Sequence, residues 1–511
     1  MTYILINTKK LFVHCYYFKF IAKYNKNSNF NVQKYFYTKK AIVNKLTMPE
    51  SPRPSFIQSF LSLIFHDKAL NLHEIVNKRH EELGPIYKER MGSFTLIFTN
   101  SPNEYRKIFK LEGDTPKHFI PEVWMRYNDI NKCSRGLLFM DGEEWLHFRR
   151  IMNRLLLVPN LANAIINYAC RETAITLTQK WGQYVNNYWI VDDLENQLYQ
   201  WSIEAIVATL LGSNWAQYKN SESYYVNIEK LSRSVHKIFE LSAKLSVIPI
   251  NYAIMLRFLD WNELVQTFNN VFQIIRDLIM GMKDLEGDGL ISMMKKEGIQ
   301  EQDINRIVKD LILAAGDTTA VSTVWALYLL ATHSDVQNEI AEKISGVKSS
   351  AIINDLHIKG IIKESLRLYP TAPFITRILP VDAIIGNYPV SKGELISMSL
   401  YSSGRDAKNF AHPNKFIPDR WIRNEKSQYN KIFNAHASIP FAMGARSCVG
   451  RKLAEAQMIH LLYELIKNFQ IECTNADKIR MKLHLIAVPS EPIRLKLTPR
   501  NKNITGAENI K

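Results

Sequence analysis

A thiol, a guanidinium and two glycines lie close together in the segment Phe441-Ala-Met-Gly-Ala-Arg-Ser-Cys-Val-Gly450. A thiolate that binds iron needs positive potential, backbone donors that point at the sulfur, and room for a flat macrocycle. Gly444 can adopt a positive φ and turn the chain tightly, and Gly450 lets the backbone pass close to a bound ring. Cys448 is therefore a candidate metal ligand, and the alternative is a buried structural cysteine.

The residues that follow this segment must position the cysteine. The run Leu453–Met458 has a helical pattern, so we expect Cys448 at a helix N-terminus, where the helix dipole stabilises an anion. Arg446 is suited to bind a carboxylate of a cofactor. A purely structural cysteine would not explain a basic residue and two glycines at these offsets.

A second unusual segment, Ala314-Ala-Gly-Asp-Thr-Thr319, lies inside the apolar helical pattern of residues 304–331. Glycine costs about 1 kcal/mol in a helix interior, and threonine can bond back to the carbonyl four residues earlier. These violations predict a functional bend. The alternative is a helix end near Gly316, but the apolar spacing resumes from Val321 onward.

Together these segments resemble the cytochrome P-450 family. Phe-x-x-Gly-x-Arg-x-Cys-x-Gly is similar to its haem-binding loop and is complete here. The resemblance implies haem b with Cys448 as thiolate ligand, which favours O–O cleavage. It also implies that the haem propionates are bound by the residues Trp145, Arg149, Arg377 and Arg446.

The resemblance also assigns roles within Ala314–Thr319. It implies that Thr318 donates a hydrogen bond to dioxygen and that Asp317 relays protons from solvent. The family usually has glycine where this chain has Ala315, and this difference concerns the geometry of the groove.

A further resemblance concerns Glu364-Ser-Leu-Arg367, which is followed by Pro370 and, downstream, by Pro418-Asp-Arg-Trp421. An acid and a base at positions i and i+3 of a helix can pair. The family pattern implies that Glu364, Arg367 and Arg420 form a buried structural triad behind the haem loop.

A basic surface is predicted near this triad. Lys359 and Lys363 are four residues apart, which local helix energy does not favour, and a solvated face is the simple alternative. They resemble the pair with which the mitochondrial branch binds an acidic iron–sulfur ferredoxin, itself reduced by NADPH-ferredoxin reductase. Arg451 and Lys452 fit the same docking site.

Composition indicates one ordinary globular body. The chain has 511 residues, of which 46% are hydrophobic and 22% charged. We expect a mainly α protein with a small β portion, the single-domain cytochrome P-450 fold that the resemblance implies, over residues 49–500, with a polar tail over 501–511. The five cysteines, Cys15, Cys133, Cys170, Cys448 and Cys473, have no spacing typical of disulfides.

The charge distribution predicts a targeting segment. The net charge is +16, and nine lysines but no acidic residue precede Glu50. We interpret residues 1–48 as a mitochondrial transit peptide and leader, with a disordered basic tail or a nucleic-acid arm as alternatives. The apolar run 11–22 is broken by His14 and Lys19, so we expect no spanning anchor of the microsomal kind.

These features predict a mitochondrial haem-thiolate monooxygenase at the matrix face of the inner membrane, with a lipophilic substrate and no nucleic-acid partner. Residues 314–327 most resemble insect ecdysteroid-pathway hydroxylases, which favours a 2-hydroxylase of 2-deoxyecdysteroids. The alternatives are a mitochondrial xenobiotic oxidase, a haem-thiolate isomerase or dehydratase, and a haem sensor. Residues 241–261 are apolar and could contact a membrane surface or form core.

Overall fold

The computed structural model describes residues 47–51, 69–91, 94–158, 161–183, 190–246, 249–282, 287–348, 351–422 and 432–500. The predicted leader lies outside the described residues except for 47 and 48, and the predicted tail lies wholly outside them. The described residues from Met48 onward belong to one unit.

Helices make up most of the described chain, and short strands fill the gaps between some of them. The helices are α1 (Leu72–Leu83), α2 (Pro102–Leu111), α3 (Glu122–Ile130), α4 (Gly142–Leu156), α5 (Leu161–Gln183), α6 (Leu194–Leu211), α7 (Trp215–Tyr218), α8 (Glu222–Leu245), α9 (Ile250–Met255), α10 (Leu259–Met282), α11 (Leu290–Lys296), α12 (Glu301–Thr332), α13 (Ser334–Lys343), α14 (Leu356–Leu368), α15 (Leu400–Gly404) and α16 (Arg451–Asn468). The strands are β1 (Ile86–Met91), β2 (Phe94–Thr99), β3 (Phe374–Ile378), β4 (Ala383–Ile385), β5 (Tyr388–Val390), β6 (Leu395–Ser399), β7 (Phe469–Cys473), β8 (Met481–His484), β9 (Ile486–Pro489) and β10 (Leu495–Pro499). The predicted fold class, mainly α with a small β portion, is confirmed.

Helix α12 runs through the hydrophobic core. Glu301 and Asp303 lie in its first turn, where negative charge stabilises the helix dipole. The helix is long and apolar enough to cross a membrane, but 72% of its most apolar window is buried inside the protein. It therefore serves as a core helix, which explains why it is apolar almost all round.

Gly316 does not end α12, so the alternative of a helix end at this position is wrong. A Cβ built on Gly316 would lie 3.2 Å from Cγ1 of Ile203 in α6. The glycine thus permits close packing of the two helices. Ser202 of α6 strengthens the same contact by donating to the Ala315 carbonyl at 2.9 Å.

The largest sheet has the strand order β1-β2-β6-β3. Strands β1 and β2 are antiparallel, β2 and β6 are parallel, and β6 and β3 are antiparallel. Arg377 pairs with Ile396 in this register, and its side chain is buried. The sheet therefore fixes the direction in which this arginine leaves the backbone.

Two further helices position the remaining predicted residues. Asp355 caps α14, because its carboxylate accepts hydrogen bonds from the backbone N–H groups of His357 and Ile358, both at 2.9 Å. Helix α16 begins at Arg451, directly after the predicted cysteine loop. Its buried face includes Leu453 and Ala456, and this packing holds the end of the loop against the core.

Candidate active site

The cysteine loop is a series of tight turns that ends at α16. Ala442 and Gly444 both have positive φ, +56° and +79°. The Cys448 N–H donates to the Phe441 carbonyl at 2.9 Å, and the Ser447 N–H donates to the Gly444 carbonyl at 3.2 Å. These bonds hold Cys448 three residues before α16, as the sequence predicted.

The loop forms one wall of a cavity of about 240 Å³ that is partly open to solvent. Helices α4, α6 and α12 supply much of the remaining wall. Among the described cysteines, Cys448 alone lines it, and its side chain is exposed there. Most of the lining is apolar and includes Leu137, Leu138, Ile206, Leu210, Ile307 and Ala314.

Two opposing effects act on the pKa of the Cys448 thiol. Burial raises the pKa of the Cys448 thiol, whereas a hydrogen bond from the Gly450 backbone and the charges of Arg149 and Arg451 lower it. The net direction is upward, so the protein alone does not hold the thiolate as strongly as the sequence suggested. A bound metal ion deprotonates a coordinating thiol directly.

Two arginines predicted to bind propionates line the cavity, Arg149 from α4 and Arg446 from the cysteine loop itself. Arg149 of α4 donates through Nη2 to the Ser447 carbonyl at 2.5 Å, and Arg446 donates to the Met140 carbonyl at 2.6 Å. Arg446 also pairs with Asp141 at 2.8 Å. The Nε atoms of both arginines are buried without a hydrogen-bond partner among the described residues.

Trp145 completes this part of the wall. The Arg446 guanidinium carbon lies 4.3 Å from the centre of the Trp145 ring. Trp145 is buried in the protein core and lines the cavity together with Arg149, which lies one helical turn later on α4. The i, i+4 spacing of Trp145 and Arg149 therefore places both side chains on one face of α4.

Arg377 lines the same cavity and has a partner that the sequence did not reveal. Its Nε donates to Glu112 Oε2 at 2.5 Å, and the Ala445 N–H donates to Glu112 Oε1 at 2.8 Å. Glu112 follows α2 directly and is only 3% exposed. Nothing local distinguishes this glutamate from a surface residue, so sequence reasoning missed it.

His118 is a second lining residue that sequence reasoning missed. Burial, together with the charges of Arg446 and Arg377, lowers the pKa of His118 to about 4. The imidazole is therefore neutral at physiological pH and can donate one hydrogen bond without adding charge. Its Nδ1 is buried without a partner among the described residues.

Thr318 of α12 also lines the cavity. Its hydroxyl donates to the Ala314 carbonyl at 2.7 Å, the back-bond expected for threonine inside a helix. Asp317 is 1% exposed and is not a lining residue of the cavity. Its carboxylate points to α8, where Oδ2 lies 3.4 Å from Nδ1 of His236.

The predicted triad is assembled in the core. Glu364 accepts hydrogen bonds from Arg367 at 2.7 and 2.9 Å and from Arg420 at 2.9 Å, and all three side chains are inaccessible to solvent. Trp421, which sequence reasoning left without a role, also donates to Glu364 at 2.8 Å. The carboxylate is thus fully satisfied, which a buried charge requires.

The predicted docking residues lie near this triad. Lys363 is exposed, and its Nζ lies 5.8 Å from the centre of the Trp421 ring. Burial of its stem lowers the pKa of Lys363, Glu455 raises it, and Arg451 and Lys359 lower it, so these groups share one surface region. Lys452 is half-buried at the start of α16.

The residues around the cavity fit a flat, anionic haem group. Cys448 offers an accessible sulfur, the buried arginines offer positive charge, and two of their Nε atoms lack other partners. Propionate carboxylates are the groups that planar guanidiniums bind best. Haem b on a cysteine thiolate activates dioxygen and favours O–O cleavage.

Comparison with known proteins bears directly on this assignment. The family model "Cytochrome P450" matches residues 49–497. The chain is 35% identical over 468 residues to "Cytochrome P450 315a1, mitochondrial" of Drosophila melanogaster, with 87% of each chain covered.

Two vertebrate proteins are more distant relatives. The chain is 28% identical over 455 residues to "Cholesterol side-chain cleavage enzyme, mitochondrial" of Oncorhynchus mykiss, covering 84% of this chain and 85% of the trout protein. It is also 28% identical over 483 residues to "25-hydroxyvitamin D-1 alpha hydroxylase, mitochondrial" of Homo sapiens, covering 89% of this chain and 93% of the human protein.

The predictions of family, enzyme class, cofactor and mitochondrial location are confirmed by these matches. The match spans nearly all of the chain that the structure describes, so it concerns the whole fold and not one motif. The chain is a haem-thiolate monooxygenase that belongs to the mitochondrial branch of the cytochrome P450 family.

Proposed function

We propose that this monooxygenase hydroxylates a steroid of the ecdysteroid class, at carbon 2 of a 2-deoxyecdysteroid. The observation that carries the proposal is the mainly apolar cavity that is lined by both Cys448 and Thr318. Such a cavity suits a rigid lipophilic molecule with few polar groups. The trout and human relatives are named for cholesterol and a vitamin D, which supports a sterol-like substrate.

Cofactor binding is assigned to the basic wall of the cavity. Cys448 supplies the thiolate, and the residues Trp145, Arg149, Arg377 and Arg446 bind the propionates. Glu112 accepts hydrogen bonds from Arg377 and from the Ala445 N–H, and it thereby links strand β3 to the cysteine loop. His118, which lines the cavity with Arg377 and Arg446, is assigned as a neutral hydrogen-bond donor.

Proton delivery is assigned to α12. The Thr318 hydroxyl must turn from the Ala314 carbonyl to donate into the cavity, and it loses one hydrogen bond in doing so. Asp317 is adjacent along the helix and lies outside the cavity, on the side that faces α8. Protons can therefore reach Thr318 without a water channel through the apolar substrate site.

Electron delivery is assigned to the basic surface formed by Lys359, Lys363, Arg451 and Lys452. Arg451 and Lys452 begin α16 directly after the cysteine loop, and Lys359 and Lys363 lie on α14. An acidic iron–sulfur ferredoxin, reduced by NADPH-ferredoxin reductase, has the complementary charge. Glu364, Arg367 and Arg420 hold the underlying core rigid and do not contact the partner, because they are inaccessible.

Membrane contact is assigned to α9 and the residues around it. The predicted apolar run 241–261 divides in the structure: Leu241, Leu245 and Ala253 are buried, whereas Met255 is 66% and Leu259 84% exposed. Exposed large apolar side chains in one short segment are typical of an interaction surface. We propose that this segment contacts the inner membrane from the matrix side and admits the lipophilic substrate.

The domain boundaries remain a prediction from the sequence. We propose that residues 1–48 are the mitochondrial transit peptide and leader, that residues 49–500 form the haem-binding domain, and that 501–511 form a polar tail. The family model begins at residue 49, which supports the first boundary.

The test uses the purified haem protein with ferredoxin, its reductase and NADPH. Reduction under carbon monoxide should give the red-shifted Soret band of thiolate haem, and Cys448→Ala should abolish it. A 2-deoxyecdysteroid should convert the haem to high spin and gain one hydroxyl at carbon 2.

Cholesterol, a 25-hydroxyvitamin D and 7-ethoxycoumarin serve as competing substrates. Ecdysteroid affinity no better than theirs would contradict the substrate class, and turnover of the coumarin alone would favour a xenobiotic oxidase. A normal carbon monoxide band in Cys448→Ala would contradict the ligand assignment.

A further inference from the structure

Asp317 has one ionisable neighbour that leads toward solvent. Its Oδ2 lies 3.4 Å from Nδ1 of His236 on α8. Both atoms are inaccessible to solvent, and neither has a hydrogen-bond partner among the described residues. Asp317 Oδ2 and His236 Nδ1, both without another partner in the described chain, are therefore separated by slightly more than a normal hydrogen-bond distance.

The exposure of the two side chains differs sharply. The Asp317 side chain is 1% exposed and that of His236 is 37% exposed. Because Nδ1 is buried, the exposed part of the His236 side chain lies away from the atom that faces Asp317. The ring thus connects a buried carboxylate with solvent across its own width.

Neighbouring elements hold this ring in place. Tyr199 of α6 stacks on it, with ring centres 5.0 Å apart and planes at 25°. The other ionisable groups that face it are Glu195 of α6, Glu240 of α8 and His484 of β8. The surroundings are therefore mainly acidic, which favours a protonated imidazole.

We propose that His236 is the residue through which Asp317 exchanges protons with solvent. This inference rests on the proposed role of Asp317 and Thr318 in proton delivery. In the transfer, the Nδ1–H bond of an imidazolium breaks as a proton moves to Asp317 Oδ2, leaving neutral imidazole and a carboxylic acid. The imidazolium itself forms when Nε2 of the neutral Nδ1–H tautomer takes a proton from hydronium, which becomes water. After the transfer the remaining proton is on Nε2, and the Nδ1–H tautomer is restored by proton exchange with solvent. One proton thus moves inward in each cycle, and no electrons are exchanged.

The local energetics suit such an exchange. Burial raises the pKa of Asp317, although His236 partly offsets this. Burial lowers the pKa of His236, but the Asp317 carboxylate, with Glu240 and Glu195, reverses the direction, so that the net pKa is raised. The pKa values of both Asp317 and His236 are therefore raised, which favours retention of a proton by one of the two groups.

A purely structural pair would also be buried, so the test must follow protons. His236→Gln keeps a polar side chain that cannot titrate, and His236→Phe keeps the stacking on Tyr199. Glu240→Gln is the matched control, because it removes another negative charge near His236 from the same helix.

The first measurement is the His236 pKa in ¹³C-histidine-labelled holoenzyme, with the resonance assigned by its loss in His236→Gln. Asp317→Asn should lower this pKa by about one unit or more, as expected for loss of a close opposite charge. Glu240→Gln should lower it less. An unchanged pKa in Asp317→Asn would overturn the proposal.

The second measurement is the product formed per NADPH as a function of pH. In the unaltered protein this ratio should fall as pH rises through the His236 pKa, because the imidazolium is lost. His236→Gln and His236→Phe should lower the ratio about tenfold and flatten the profile. This is less than the roughly 10²- to 10⁴-fold effect of general acid–base groups, because water can replace part of the relay. Peroxide-driven turnover and the carbon monoxide band should be unchanged.

An unaltered ratio and pH profile in both variants would overturn the role of His236. Failure of the unaltered protein to hydroxylate any steroid would instead overturn the proposed function. The two failures are distinguishable, because the pKa and the peroxide released per NADPH are measurable without the natural substrate.

Discussion

The carboxylate of Glu112 occupies the space that a side chain on Gly444 would fill. A Cβ built on Gly444 would overlap Glu112 Oε1, while that oxygen accepts the Ala445 N–H at 2.8 Å. Two features therefore require glycine at position 444: its φ of +79° and the close approach of the buried Glu112 carboxylate.

Gly444→Ala should displace the cysteine loop and weaken haem retention. Positive φ costs a non-glycine residue about 1–2 kcal/mol, and the overlap with Glu112 adds to this. Gly298→Ala is the matched control, because Gly298 has the same φ of +79° and no atom within 4 Å of its added Cβ. Thermal unfolding and the carbon monoxide band measure the effect.

The same relationship predicts non-additivity. In a Glu112→Ala background, Gly444→Ala should cost only the backbone strain, so the melting temperature should fall no further than in Gly298→Ala. An equal loss from Gly444→Ala with and without Glu112 would contradict the contact.

Thr318→Val should retain haem and the substrate-induced spectral shift but release reducing equivalents as peroxide. General acid–base groups contribute about 10²- to 10⁴-fold, and water can replace part of this, so product per NADPH should fall about tenfold. Thr318→Ser, which keeps the hydroxyl, should restore most of the ratio. An unchanged amount of product per NADPH in Thr318→Val would exclude a role for the hydroxyl in proton delivery.

Lys359→Glu combined with Lys363→Glu should reduce ferredoxin-supported turnover, mainly through weaker binding. Exposed charges steer association, so the deficit should depend on ionic strength. Turnover driven by added peroxide should hardly change, since it bypasses electron transfer. Lys295→Glu with Lys296→Glu, two exposed lysines on α11, is the charge-matched control.

This contrast separates docking from folding, because Lys363 is adjacent to the buried Glu364. A parallel fall in both activities would show damage to the core. Equal loss in the α11 control would show a general charge effect and contradict a specific docking surface.

Asp310→Asn should flatten the dependence of stability on pH. Asp310 lines the cavity, accepts the Leu138 N–H at 2.6 Å, and has its pKa raised by burial from 3.8 to about 7. Because the folded state holds this proton longer than the unfolded chain, the stabilising contribution is complete below pH 3.8 and is lost as pH rises toward 7.

Between pH 5 and pH 8 this loss amounts to about 3 kcal/mol at most. Asparagine can still accept the Leu138 N–H and does not titrate. Melting temperatures measured across that range should therefore fall less steeply with rising pH in Asp310→Asn. Asp277→Asn, an exposed aspartate on α10, should retain the original slope.

The sequence by itself determined the features that depend on neighbours along the chain. Glycines at fixed offsets around Cys448 predicted the turns, and apolar spacing predicted α12 to within a few residues. The acid–base spacing of Glu364 and Arg367 predicted a pair on one helix face. Each of these signals has a range of one or two helical turns, which a single segment contains.

Only the tertiary structure decided which residues distant in sequence contact the cysteine loop, Asp317 and Glu364. Glu112 and Ala445 are 333 positions apart, yet packing of α2 against the loop joins them. His236 meets Asp317 because α8 crosses α12, and Trp421 meets Glu364 because a turn folds back on α14. No local sequence pattern predicts these partners, because their contacts depend on which helices pack against each other in the core. Several helices have similar apolar faces, so the sequence of one helix does not identify its neighbour.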